Sequence, residues 1–196
     1  MDKQFLDEQS LKEQTAHIIA NNILYYEQLP QYDLFLSQVV DFLNAHFPEV
    51  GYTQNIVQNY IKNEVISAPQ NGKKRGYTKQ HLIQLALVSY MRPLLTADEI
   101  KMVFALAFNE INNPEDDLLS WEIAYKFFSD TQKDSLNNPF SAHILEEKKL
   151  KEILKSADLQ DKNAERIYVF LVVMTLIAQA AATKKLVQHL VKDYQV

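Results

Sequence analysis

Thr53-Gln54-Asn55-Ile56-Val57-Gln58-Asn59-Tyr60-Ile61-Lys62-Asn63 separates into two faces when wound at about 100° per residue. Ile56, Val57, Tyr60 and Ile61 fall on one side; Gln54, Asn55, Gln58, Asn59 and Lys62 fall on the other. Thr53 is a suitable N-cap, so the spacing predicts a short amphipathic helix over 53–63. Its outer face consists of side-chain amides plus one lysine. Asn and Gln can bond adenine bidentately in the major groove and also donate to phosphate. The same residues equally suit a plain solvated surface.

The stretch that follows shifts the balance. It reads Ala68-Pro69-Gln70-Asn71-Gly72-Lys73-Lys74-Arg75-Gly76-Tyr77. Asn-Gly favours a type I′ turn, because both central positions need positive φ. A small β-hairpin is therefore expected over 70–77, with Lys73, Lys74 and Arg75 at its tip. Three adjacent cations repel one another unless an anion meets them, and a ribbon lying along a sugar-phosphate backbone meets one. With Lys62 and Lys79 these residues would hold phosphates, while Gln54, Asn55, Gln58 and Asn59 lie nearest the bases.

Upstream, Ser10 and Glu13 can form a capping box for a helix to about Glu27. Asp33 is a plausible N-cap for a second helix ending near Phe47-Pro48, with Gly51 in the turn beyond it. Downstream, Thr78 opens a helix to about Met91 whose apolar residues cover most of its circumference. Thr96 and Glu99 form another capping box, for a helix to about Ile111. Pro114 with Glu115, Asp116 and Asp117 resembles a helix start. Helices are expected at 115–129, 141–156 and 162–191, with a loop at 130–140.

The whole chain has 196 residues, 47% of them hydrophobic, with three glycines and no cysteine. So little glycine points to a mainly α protein. The absence of cysteine excludes disulfides, thiolate metal sites and a cysteine nucleophile. Met1 to Glu13 carries mixed charge and no apolar segment, unlike a signal peptide; a cytoplasmic protein is expected. The apolar run Ile167–Ala182 is short of the roughly 20 residues a membrane helix needs. It reads as a core or homodimer helix rather than a membrane segment. Net charge is −5, yet it is unevenly spread. Residues 1–52 carry two bases and eight acids, 53–105 seven bases and three acids, and 106–196 eleven bases and fourteen acids. Only the middle is basic, and attraction to phosphate acts locally.

Several segments together carry a family resemblance: Val57-Gln58-Asn59-Tyr60, Val65-Ile66, Pro69, Gly76-Tyr77-Thr78, His81-Leu82 and Leu95-Thr96-Ala97-Asp98-Glu99-Ile100. They resemble the DNA-binding domain of MerR-type regulators. From about Leu34 to Phe104 the chain is more closely similar to a bacterial family catalogued as a domain of unknown function, number eighteen-thirty-six. The resemblance implies a MerR-like winged helix-turn-helix with a small β-hairpin wing, plus an α-helical C-terminal region; it implies no effector. Glu64 stands where MerR-type chains commonly carry Gly, so Asn63 is expected to take the left-handed turn instead. The expected organisation is an N-terminal helix over 1–32 packed on the C-terminal region, the winged helix-turn-helix domain over 33–111, and an α-helical dimerisation region over 112–196 that could also take a small-molecule effector.

Other chemistry leaves little trace. The five histidines are scattered, and none sits in an H-E-x-x-H pattern. His143 and Glu146 have a metal-compatible spacing but no second pair. No phosphate loop or nucleophile elbow occurs, so neither an enzyme, a cofactor nor a metal is expected. Trp121, Tyr125, Phe128 and Tyr168 could line an effector pocket or simply fill a core. The reading is a dimeric transcriptional regulator that binds double-stranded DNA. The alternative is a protein-interaction or small-molecule-binding module of the same fold that does not bind DNA.

Overall fold

The computed structural model describes residues 13, 15–16, 23–69, 76–137, 147–156 and 161–193. The described chain is mainly helical. The α-helices are α1 Leu36–His46, α2 Gln54–Lys62, α3 Lys79–Met91, α4 Ala97–Phe108, α5 Trp121–Asn137, α6 Glu147–Ser156 and α7 Asp161–Asp193, with 3-10 turns at Tyr26–Gln28 and Pro114–Asp116.

α3 is the hub. Every residue from His81 to Met91 is buried, as expected of a helix apolar on all sides, and it packs on α1, α5 and α7. α7 in turn lies along α5 and α4. Ile167, Phe170, Leu171, Met174, Ile177 and Ala178 form its inner stripe. These side chains join those of residues 24–128 in one continuous core. A smaller cluster of Ile23, Leu136, Ala182 and Leu186 closes the far end of α5 and α7. Lys162–Lys192 is long and apolar enough to cross a membrane, but its inner stripe is spent on protein.

Two helix starts agree with the sequence reading. Thr53 Oγ1 accepts from the Ile56 amide at 3.3 Å. Thr96 and Glu99 close the predicted capping box, with Thr96 N donating to Glu99 Oε2 at 2.7 Å and Glu99 N to Thr96 Oγ1 at 3.3 Å. α4 stops at Phe108, where Arg166 of α7 donates to the Ala105 carbonyl at 2.6 Å and to Asn109 Oδ1. An arginine here satisfies a carbonyl that the helix end leaves open.

Other boundaries differ. The N-terminal helix does not run to Glu27: residues 23–25 are non-helical and a 3-10 turn follows. α1 begins at Leu36 with Phe35, not Asp33, as its N-cap; Leu34 between them pairs with Tyr77. The acidic start at 115 is only the 3-10 turn, and α5 opens at Trp121 instead. α5 also continues through the expected loop, as far as Asn137. Its hydroxyls are satisfied within the helix, Thr131 Oγ1 donating to Phe127 O and Ser135 Oγ to Thr131 O, both at 2.8 Å, while burial of Gln132 and Leu136 holds the stretch against the core.

The β-hairpin is not seen. Among the described residues there is no strand, and pairing is limited to one antiparallel bridge between Leu34 and Tyr77. Leu34 N donates to Tyr77 O at 2.8 Å and Tyr77 N to Leu34 O at 3.3 Å. Tyr77 is thus committed to a partner upstream of α1, not to the 67–69 arm. Residues 70–75, including the Asn71-Gly72 turn, lie outside the described residues.

Candidate nucleic-acid interface

α2 is held from behind. Val57 is fully buried, and Ile56, Tyr60 and Ile61 pack on the core. Gln54, Asn55, Gln58, Asn59 and Lys62 are all exposed, so the two faces of the helix fall where the sequence puts them. The turn into α2 is fixed by a reciprocal clamp: Tyr52 N donates to Asn44 Oδ1 at 2.7 Å, and Asn44 Nδ2 to Tyr52 O at 2.9 Å. Gly51, at φ +63°, supplies the left-handed step before it. The buried Tyr52 hydroxyl meets Ser89 Oγ of α3 at 2.7 Å. Burial pushes its pKa up, so it stays a neutral partner.

The exit from α2 departs from expectation. Asn63 has φ −91°, and Glu64 itself takes the left-handed conformation at φ +54°. Glu64 N bonds Ile61 O at 2.9 Å and Val65 N bonds Tyr60 O at 2.8 Å. The pattern terminates the helix as glycine usually would. A left-handed non-glycine residue costs about 1–2 kcal/mol, which the buried Val65 and Ile66 that follow offset.

The segment leading towards the basic run is anchored residue by residue. Ser67 N and Oγ both donate to Gln84 Oε1 of α3, at 3.0 and 2.9 Å. Ala68 N donates to Asn112 Oδ1 at 2.8 Å. On the other side, Tyr77 is bridged to Leu34, and Thr78 N donates to His81 Nδ1 at 3.0 Å. The chain is therefore hydrogen-bonded to the fold on both sides of the basic run, at 67–68 and at 77–78, and Lys73, Lys74 and Arg75 themselves lie outside the described residues.

Lys79 is placed differently from the rest of the predicted set. Its Nζ lies 3.3 Å from the centroid of the Tyr26 ring, and Lys126 Nζ lies 4.7 Å from the same centroid. The Tyr26 hydroxyl donates to Glu122 at 3.0 Å. Lys79 is thus occupied by an aromatic face at the edge of α5, where burial lowers its pKa.

The four aromatic residues considered for an effector pocket do not converge on one cavity. Trp121 stacks on Phe108 at 3.5 Å with an 8° interplanar angle. Tyr125 is buried and donates to the Leu24 carbonyl at 2.9 Å. Phe128 is buried against Tyr90. Tyr168 is 47% exposed. Trp121 alone borders a cleft, of about 480 Å³, shared with Tyr26, Lys79, Asp117 and Glu122. A larger cleft, of about 610 Å³, lies between the ends of α1 and α3 and the C-terminal half of α7. Lys184, Lys185, Gln188 and Lys192 border it on the α7 side, while the buried line of that helix continues through Ala182 and Leu186. His143 and Glu146 lie outside the described residues, and among the described residues no group of three metal-ligating side chains gathers.

Fold and surface together define a mainly helical protein that presents a short, amide-faced helix on its surface. Residues 24–128 match the family described as Domain of unknown function (DUF1836), and the chain belongs to that family. No curated protein and no solved structure matches it.

Proposed function

We propose that this chain is a cytoplasmic DNA-binding transcriptional regulator with a MerR-like arrangement. α2 enters the major groove, with Gln54, Asn55, Gln58 and Asn59 towards base edges and Lys62 towards phosphate. Lys73, Lys74 and Arg75 add backbone contacts. The observation that carries this reading is the division of α2: a core-facing side anchored by Val57, and an opposite side wholly exposed and built from amides. Side-chain amides in such a row can read bases, and the basic run follows within the same anchored connection.

A homodimer through α7 completes the proposal. Val169, Leu176, Val187 and Val191 are 42–57% exposed and fall along one side of the helix at helical spacing. A second copy on this stripe would place two α2 helices for two half-sites about one helical turn apart.

Selection of bound duplexes from a random pool tests the proposal directly. An enriched two-fold site is expected. Changing Lys73, Lys74 and Arg75 together to Ala should weaken binding to all duplexes and flatten the salt dependence by up to about 3 units of slope. Failure to enrich any sequence, or an unchanged slope, would refute the interface as described.

A further inference from the structure

The cleft of about 480 Å³ opens where the start of α5 and the turn before it meet the first residues of α3 and the Tyr26 turn. Cleft volumes of about 300–1,000 Å³ are usual for small-molecule sites. Its apolar lining includes Ile83, Leu119 and Trp121, all buried, with Leu118 and Ile123 nearer solvent. Three charged side chains complete it: Lys79, Glu122 and Asp117.

Two of the three are already matched. The Lys79 ammonium lies 3.3 Å from the centroid of the Tyr26 ring. Glu122 accepts from the Tyr26 hydroxyl at 3.0 Å and from Lys126 at 2.7 Å. The Asp117 carboxylate is partly buried and has neither a hydrogen bond nor an ion pair among the described residues. Burial and the charge of its neighbour Asp116 act on it, and both work against ionisation. A carboxylate withdrawn from water is costly unless a cation meets it. The Tyr26 wall shows that the cleft accepts an ammonium group, since Lys79 rests there. A metal ion fits less well. Hard cations take about six oxygen ligands, and among the described residues no group of three metal-ligating side chains gathers.

We propose that this cleft binds a small organic ammonium ion, its charged head on Asp117 and its apolar body along Ile83, Leu119 and Trp121. The ligand class follows from the one unmatched charge and the apolar lining beside it. The site does not depend on duplex recognition.

Titration calorimetry on the full chain without duplex tests it, at pH 8, where Asp117 is ionised. Hexylamine and phenethylamine serve as cationic probes, with hexanol, hexanoate, ammonium chloride and magnesium chloride as controls. At least one amine should bind once per chain, roughly tenfold or more tighter than any control. Asp117→Asn removes a charge without removing a contact, so helix content by circular dichroism should be unchanged while amine binding weakens by roughly tenfold. Lys79→Gln removes the one cation among the lining residues and should leave amine binding as tight or tighter. No binding of either amine, equal binding of hexanol or hexanoate, or a preference for magnesium would overturn the proposal. So would undiminished binding in Asp117→Asn or lost binding in a folded Lys79→Gln. None of these outcomes bears on duplex recognition, because no DNA is present.

Discussion

Gln84 offers the most direct test of how the stem beside α2 is held. It is fully buried in the middle of α3, and its Oε1 accepts from both donors of Ser67. The backbone N–H fixes the amide orientation, since a flipped Nε2 would confront a second donor. Gln84→Met keeps length and apolar contact but removes the acceptor. The Ser67 hydroxyl can rotate, so only the orphaned backbone N–H is counted in full, at about 1–3 kcal/mol. The lost hydroxyl bond adds about 1 kcal/mol. Against this, Gln84 Nε2 is itself buried without a partner, and its removal returns about 1 kcal/mol. The expected net loss is about 2 kcal/mol, or roughly 4–8 °C in Tm for a chain of this size. Urea unfolding should show a lower midpoint at unchanged m-value. Hydrogen exchange at the Ser67 amide should accelerate. A variant as stable as the parent, with Ser67 still protected, would show that this amide does not anchor the 65–69 segment.

Three further outcomes are expected. Burial holds the His81 imidazole below its usual pKa, against the opposing pull of the Ala68 carbonyl and Asp33. Below about pH 6.5 the unfolded chain then binds a proton that the native state resists. Stability should fall as pH drops through that region, and His81→Gln, which keeps an acceptor for Thr78 N, should flatten the fall in unfolding measured from pH 7 to 5. Asp117 runs the opposite way: burial, then the neighbouring Asp116 charge, pushes its pKa up to about 7. Its contribution is present below the unfolded carboxylate pKa and is lost as pH rises through about 7. Asp117→Asn should therefore stabilise the protein at pH 8, by no more than about 1 kcal/mol given the solvent around it; a variant less stable than the parent at pH 8 would contradict the assignment. Leu176→Lys, on the exposed stripe of α7, should yield monomers in sedimentation while leaving thermal stability of the monomer unchanged; sedimentation identical to the parent's would remove that stripe from the proposed dimer.

Elements governed by neighbouring residues were legible in the sequence. Thr53, Thr78 and Thr96 each precede a helix because their side chains or their i+3 partners satisfy amides within one turn. The two-sided character of α2 follows from period alone. What the sequence hid was long-range. Tyr77 could not be seen to choose Leu34, 43 positions upstream, over the nearer arm of the expected hairpin. The tail of α5 read as a loop because Ser, Thr, Asp and Asn dominate it, yet Gln132 and Leu136 are buried there. Only the tertiary context makes that stretch helical. Trp121, Tyr125 and Phe128 have the composition of a ligand pocket, but their neighbours Phe108, Leu24 and Tyr90 come from distant segments and close the space.

The proposed interface divides affinity from readout in an unusual way for an acidic chain. α2 carries a single exposed cation, Lys62, beside four exposed amides, so little of any counterion release can arise on the helix itself. Lys79 is held against Tyr26 and adds nothing there unless it leaves that ring. Salt-dependent affinity must then come chiefly from Lys73, Lys74 and Arg75, and base discrimination from Gln54, Asn55, Gln58 and Asn59. Substituting the amides should consequently erase sequence preference at a constant salt slope, while neutralising the basic run should lower the slope and leave the preferred sequence unchanged. A regulator that mixed both functions on one helix would not separate in this way. The anchoring of Ser67 and Ala68 matters for the same reason, since two contact sets on different segments can recognise one duplex only if the connection between them is stiff.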